Sequence, residues 1–168
     1  ISLGTVSKTV CPGLRVGWAV APPELARSLV ILKQAADLHT SSLSQQIVHR
    51  VLAAPGFVDG HLPTVSERYH AQAEVLMGAL DEQLGSRIRV RRPDGGMFVW
   101  AELPELGGSG SLQTVGLLDA ALRNGMAFVP GSAFAVETEH PRSLRLSFAT
   151  TDPVDLVEAV RRLRLALG

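Results

Sequence analysis

Apolar positions recur at helical spacing in the first third of the chain. After Pro22-Pro23, which suits the opening turn of a helix because the first N–H groups there have no intrahelical acceptor, Leu25, Leu29, Leu32 and Ala36 form one stripe. Leu43, Ile47, Val48, Val51 and Leu52 form a second, closed by Pro55-Gly56. Tyr69, Ala73, Leu76 and Leu80 mark a long helix expected over about 62–84, with Pro63 at its start or at a kink and Gly85 as C-terminal cap. Residues 1–8 read as a buried strand ending at Lys8. Pro12-Gly13 turns the loop that follows, and 15–20 reads as a second strand with Val16, Trp18 and Val20 on one side.

The period then changes. Segments 88–90 and 97–100 read as strands joined by the turn Pro93-Asp94-Gly95-Gly96. Gly107-Gly108-Ser109-Gly110 reads as a flexible loop, and Ser111 and Gly125 as the two ends of a helix. Residues 126–129 and 144–148 read as strands. Asp152-Pro153 caps and opens a final helix with Val157, Val160, Leu163 and Leu167 on its buried side. These elements predict an α/β chain in two parts. Residues 1–62 form the edge of a larger α/β sheet; residues 63–168 form the long helix and a small α+β domain with an antiparallel sheet backed by helices. The boundary is expected near residues 62–70.

Composition narrows the function classes. The 168 residues are 46% hydrophobic, enough for a core, and carry no net charge, with a pI near 7.2. Nothing in that balance points to nucleic acid or to an anionic membrane surface. The single cysteine, Cys11, excludes an internal disulfide, and the five scattered histidines show no metal pairing. No apolar run reaches the roughly 18 residues of a membrane span. A cytoplasmic setting is expected. The chain opens without Met, directly in the strand-like Ile1-Ser2-Leu3-Gly4. It is therefore expected to be the back portion of a longer protein.

Candidate chemistry lies in Gly4-Thr5-Val6-Ser7-Lys8-Thr9-Val10-Cys11-Pro12-Gly13-Leu14-Arg15-Val16-Gly17. A lysine at a strand's end can be held rigidly at the carboxyl edge of a sheet, where open α/β sheets bind ligands. A lysine that forms an imine needs partial burial and a nearby cation, which Arg15 can supply. Thr5 and Arg15 suit a phosphate, the guanidinium through paired hydrogen bonds. By themselves such residues are more often solvated surface groups. Arg145, between Leu144 and Leu146, either faces outward on a half-exposed strand or meets an anion such as a carboxylate, because an unpaired buried guanidinium is costly.

The lysine segment closely resembles that of class I/II aminotransferases, pyridoxal-phosphate enzymes of fold type I. Within them it is most similar to the branch with 2-aminoadipate-type and broad-specificity aminotransferases. Three further segments resemble the family in order: Pro93-Asp94-Gly95-Gly96-Met97-Phe98-Val99-Trp100, Val129-Pro130-Gly131-Ser132-Ala133-Phe134 and Leu144-Arg145-Leu146-Ser147-Phe148.

The resemblance implies the C-terminal part of a fold-type-I transferase, homodimeric when complete and acting on L-amino acids and 2-oxo acids. Lys8 matches the lysine that forms the Schiff base with pyridoxal 5'-phosphate and then moves the proton. Thr5, usually serine there, and Arg15 match the phosphate-binding hydroxyl and arginine, and Arg145 matches the arginine that binds the substrate α-carboxylate. Cys11 stands where the family carries a small residue. The family's other cofactor contacts, among them an aspartate for the pyridine nitrogen, precede the lysine and are not placed in this chain, which alone is not expected to transaminate. Two alternatives remain on the same scaffold. One is the aminotransferase-like effector domain of a winged-helix transcription regulator; the other is a pyridoxal-phosphate-dependent lyase.

Overall fold

The structure, a computed structural model, describes residues 1–104 and 113–168; the expected Gly107–Gly110 loop and Ser111 cap lie outside the described residues. The chain divides into two compact units, Ile1–Val65 and Ser66–Gly168.

In the first unit, β1 (Ser2–Thr5) and β2 (Gly17–Val20) pair antiparallel, Gly4 opposite Trp18 and Thr5 opposite Gly17. The helices α1 (Pro23–Asp37) and α2 (Ser42–Ala53) follow. Ser41 caps α2, its hydroxyl accepting the Ser44 N–H at 3.4 Å. The long helix α3 (Phe57–Leu84) begins here and ends in the second unit. It starts five residues before the expected Leu62, so Pro63 lies inside it. Pro63 has no N–H for the carbonyl of Asp59, so in its second turn the helix forgoes one i→i−4 hydrogen bond and the proline ring crowds that carbonyl.

Burial in this unit departs from the sequence reading. Val6 and Val48 are its buried hydrophobic residues, whereas Leu3 is 79% exposed and the stripe residues Leu25, Leu29 and Leu32 are all exposed. The expected buried strand is an exposed ribbon that stops at Thr5, short of Lys8. A two-stranded ribbon brings no second layer with it, and an apolar stripe is buried only where another element lies upon it.

The second unit has a real core. Its antiparallel sheet runs in the order β3 (Arg89–Val90), β4 (Phe98–Glu102), β6 (Ser143–Ser147), β5 (Val129–Pro130). Strand alternation turns Val99 and Ala101 of β4 and Leu144 and Leu146 of β6 onto one face, all of them buried. Helices supply the rest of the core: Leu76, Leu80 and Leu84 from α3, Leu117 and Ala121 from α4 (Thr114–Arg123), and Leu156, Val160 and Leu163 from α5 (Pro153–Leu167). Each such side chain gains about 1.5–3 kcal/mol by leaving water.

Two details of α5 differ from expectation. Leu156 occupies the buried position and Val157 is 42% exposed. Asp152 stands at the N-cap, but its side chain makes no capping hydrogen bond. Gly131, buried after β5, touches the 140–143 turn closely: a Cβ there would fall 2.6 Å from the His140 carbonyl oxygen and 2.7 Å from Ser143 Cβ. Among the described residues no helix is long and apolar enough to cross a membrane.

Candidate functional site

The lysine loop is built from the end of β1. Val6, 1% exposed, plugs the unit's small core, and its N–H donates to the Val16 carbonyl at 3.2 Å. Its own carbonyl accepts the N–H groups of Val10 and Cys11 at 2.9 and 3.1 Å. That closes one tight turn, residues 7–10, with Lys8 exposed upon it. The strand ends at Thr5 for a local reason. The Thr5 hydroxyl accepts the Ser7 N–H at 3.1 Å, offering the backbone an alternative to a sheet partner.

Thr5 and Arg15 stand on the two stretches of chain that enter and leave this loop. The Thr5 hydroxyl donates to the Val16 carbonyl at 3.2 Å, and the Thr5 and Ser7 hydroxyl oxygens are 3.0 Å apart. Arg15, the neighbour of Val16, follows the 3₁₀ turn Pro12–Leu14 and adopts the left-handed region with φ 54° and ψ 35°. For a non-glycine residue this costs about 1 kcal/mol or more. The Pro12 carbonyl holds the conformation by accepting both the Arg15 backbone N–H at 3.4 Å and its Nη1 at 3.2 Å. A guanidinium has five N–H donors, so most of those of Arg15 stay available to an anion. Lys8 makes no hydrogen bond with Thr5 or Arg15 among the described residues, and because it is exposed the partial burial expected of an imine-forming lysine is not seen in this chain.

Arg145 belongs to the second unit. On β6 it lies opposite Trp100 of β4 and Val129 of β5, on the sheet face away from the helices. Its Cζ lies over the Phe98 ring, 4.1 Å from the centroid, and over the Phe134 ring, 4.6 Å from the centroid. Among the described residues no carboxylate forms a salt bridge with it. Of the two sequence alternatives neither is met as stated: the side chain is half-buried against aromatic rings, and among the described residues its N–H groups make no hydrogen bond. Phe98 and Phe134 lie within two of the family-like segments, and nothing in those segments alone assigns them a role. The signal available was an aromatic residue in both segments, but no spacing rule relates residues 98, 134 and 145. No group of three or more His, Cys, Asp or Glu is placed to hold a metal ion among the described residues.

Residues 1–163 match the family described as aminotransferase class I and II. The chain belongs to that family. Among the relatives of this aminotransferase chain is the 2-aminoadipate transaminase of Thermus thermophilus, 45% identical over 167 residues that make up 99% of this chain and 40% of that protein. The aromatic-amino-acid aminotransferase 1 of Thermococcus litoralis is 37% identical over 97% of this chain and 38% of its own length. The crystal structure of alpha-aminoadipate aminotransferase from Thermus thermophilus, complexed with N-(5'-phosphopyridoxyl)-L-leucine, superposes with a TM-score of 0.87 at 45% identity, covering 98% of this chain and 41% of that one. The α/β fold is thus that of the C-terminal portion of fold-type-I aminotransferases. The chain spans about two fifths of the length of the relatives it matches.

Proposed function

We propose that the protein carrying this chain is a pyridoxal-phosphate-dependent aminotransferase that moves an amino group between an L-amino acid and a 2-oxo acid, as a cytoplasmic homodimer. The observation that carries the reading is the β1–β2 loop. It joins an exposed amine, a pair of adjacent hydroxyls and a pinned guanidinium within eleven residues of chain, 5–15.

That donor set fits the cofactor by its chemistry. An amine complements an aldehyde, and a guanidinium with neighbouring hydroxyls complements a phosphate. When bound, pyridoxal phosphate supplies the aldehyde carbon and an electron-accepting ring.

The chain's own residues do the rest. Lys8 would hold the cofactor through Nζ and, once displaced by the substrate amine, would as a free amine take the proton from the substrate Cα and deliver it to the carbon that had been the cofactor's aldehyde. Arg15 and Thr5 anchor the phosphate, Thr5 by turning its hydroxyl proton from the Val16 carbonyl to the anion. Arg145 receives the substrate α-carboxylate through two parallel N–H donors and so fixes the orientation of the Cα–H bond.

The test is Lys8→Ala in the complete gene product. Borohydride reduction followed by mass spectrometry of the peptide holding residue 8 should find the cofactor attached in the parent and absent in the variant, and transamination should disappear. Normal turnover by the variant sinks the assignment.

A further inference from the structure

Arg145 differs from the other arginines whose contacts are described in how it is held. Arg161 and Arg162 point N–H groups at Glu158, and Arg92 points two at Glu74. Arg145 instead meets aromatic faces. Cation–π attraction acts through the face of the ring, and a guanidinium stacked on such a face keeps the hydrogen-bond donors around its edge directed outward. Two rings can therefore fix where the group lies without occupying a single N–H.

The rings are themselves fixed. Strand pairing sets Phe98 opposite Ser147 and Trp100 opposite Arg145, so Phe98 is the diagonal neighbour of Arg145 on the same sheet face. Phe134 ends the 3₁₀ turn Gly131–Phe134, which follows directly on β5, and β5 pairs with β6 at Arg145. Trp100 meets Phe134 edge to face at 5.6 Å, and His140 meets Trp100 likewise at 5.7 Å. Core packing does not account for Trp100 and Phe134, which are each 39% exposed.

We propose that Phe98 and Phe134 are positioning residues, which hold the Arg145 guanidinium by its faces so that its N–H edge stays free to receive the substrate carboxylate. The inference rests on the reading of Arg145 as the carboxylate site.

The experiment uses the complete holoenzyme with Phe98→Leu, Phe134→Leu, the two tyrosine counterparts and Arg145→Gln. Each leucine variant should raise KM for both the amino donor and the oxo acid about 5- to 20-fold while kcat stays within about twofold. The dissociation constant of hexanoate, a carboxylate without the reacting amine, should rise in parallel, and that of the cofactor should not. Tyrosine, which keeps the ring face, should restore both. If either leucine variant melts lower than its parent, a methionine variant of similar bulk makes the same comparison.

Loss of kcat equal to the rise in KM, or unchanged hexanoate binding in leucine variants beside a loss of 100-fold or more in Arg145→Gln, overturns the positioning role alone. Unchanged hexanoate binding in Arg145→Gln overturns the carboxylate reading beneath it.

Discussion

The Trp18 indole lies directly over Gly4, its partner across the β1–β2 ribbon: a Cβ at residue 4 would overlap Trp18 Cε2 and Cζ2 and stand 2.6 Å from Nε1. Gly4→Ala therefore cannot keep the indole where it is. The expected outcome is a displaced Trp18 and a ribbon destabilised by about 1–3 kcal/mol. Tryptophan emission recorded in a Trp100→Phe background, with urea unfolding alongside, reads both. An unchanged spectrum with unchanged stability contradicts the packing.

One residue further on, Thr5 ties the base of the lysine loop through its hydroxyl. Thr5→Val keeps the shape but strands the Ser7 N–H and removes the donor for a phosphate. Cofactor affinity of the complete gene product should fall about tenfold or more, since a hydrogen bond to a charged group is worth about 1.5–3 kcal/mol. Thr5→Ser keeps the oxygen and should stay within about threefold. Equilibrium dialysis against pyridoxal phosphate separates the two outcomes.

Two of the leucines near the end of α5 should behave oppositely. Leu163 is fully buried and Leu165 is 50% exposed. Leu163→Ala should cost about 2–5 kcal/mol through lost burial and a residual cavity. Leu165→Ala should remain within about 0.5 kcal/mol of the parent. Urea midpoints at equal slope measure the difference, and similar losses at both positions would place α5 in a different rotation.

Acid should act on the same helix through Glu158. Hydrogen bonds from Arg161 and then Arg162 hold its carboxyl down at about 2, from an ordinary 4.5. A carboxylate with its pKa lowered on folding adds stability that is complete above pH 4.5 and is lost as pH falls from there towards 2. Glu158→Gln should flatten the stability–pH curve in that window and leave its shape near neutrality unaltered. The effect should shrink in high salt, because the pair is exposed at the surface. A carbon-detected NMR titration that puts the Glu158 midpoint near 4.5 would refute the assignment.

Local rules made much of the fold legible. Pro23 and Pro153 open helices where φ-restricted residues without an N–H belong, and Gly125, with φ 75°, ends α4 where a left-handed residue is required. The alternation of Leu144 and Leu146 marked a strand that exists. Along α5 the same kind of reasoning met its limit. Leu156 and Val157 are adjacent and both apolar, so either can continue the stripe to Val160 and Leu163. The rotation of the helix on the sheet buried Leu156.

The candidate site divides in the same way. Lys8, Thr5, Arg15 and Arg145 were singled out through the family resemblance of the runs that hold them, because their residue types alone do not distinguish a site from solvated surface groups. The end of β1 at Thr5 was not legible, since a hydroxyl two residues back competed with the ladder for one N–H.

By itself the sequence determined the order of helices and strands and the turn chemistry, which depend on neighbours within a few residues. Only the tertiary structure decided which apolar stripes are covered, and that Phe98, Phe134 and Arg145 converge on one sheet face. Strand pairing and the turn after β5 bring together rings separated by dozens of residues, and no local propensity encodes such a contact.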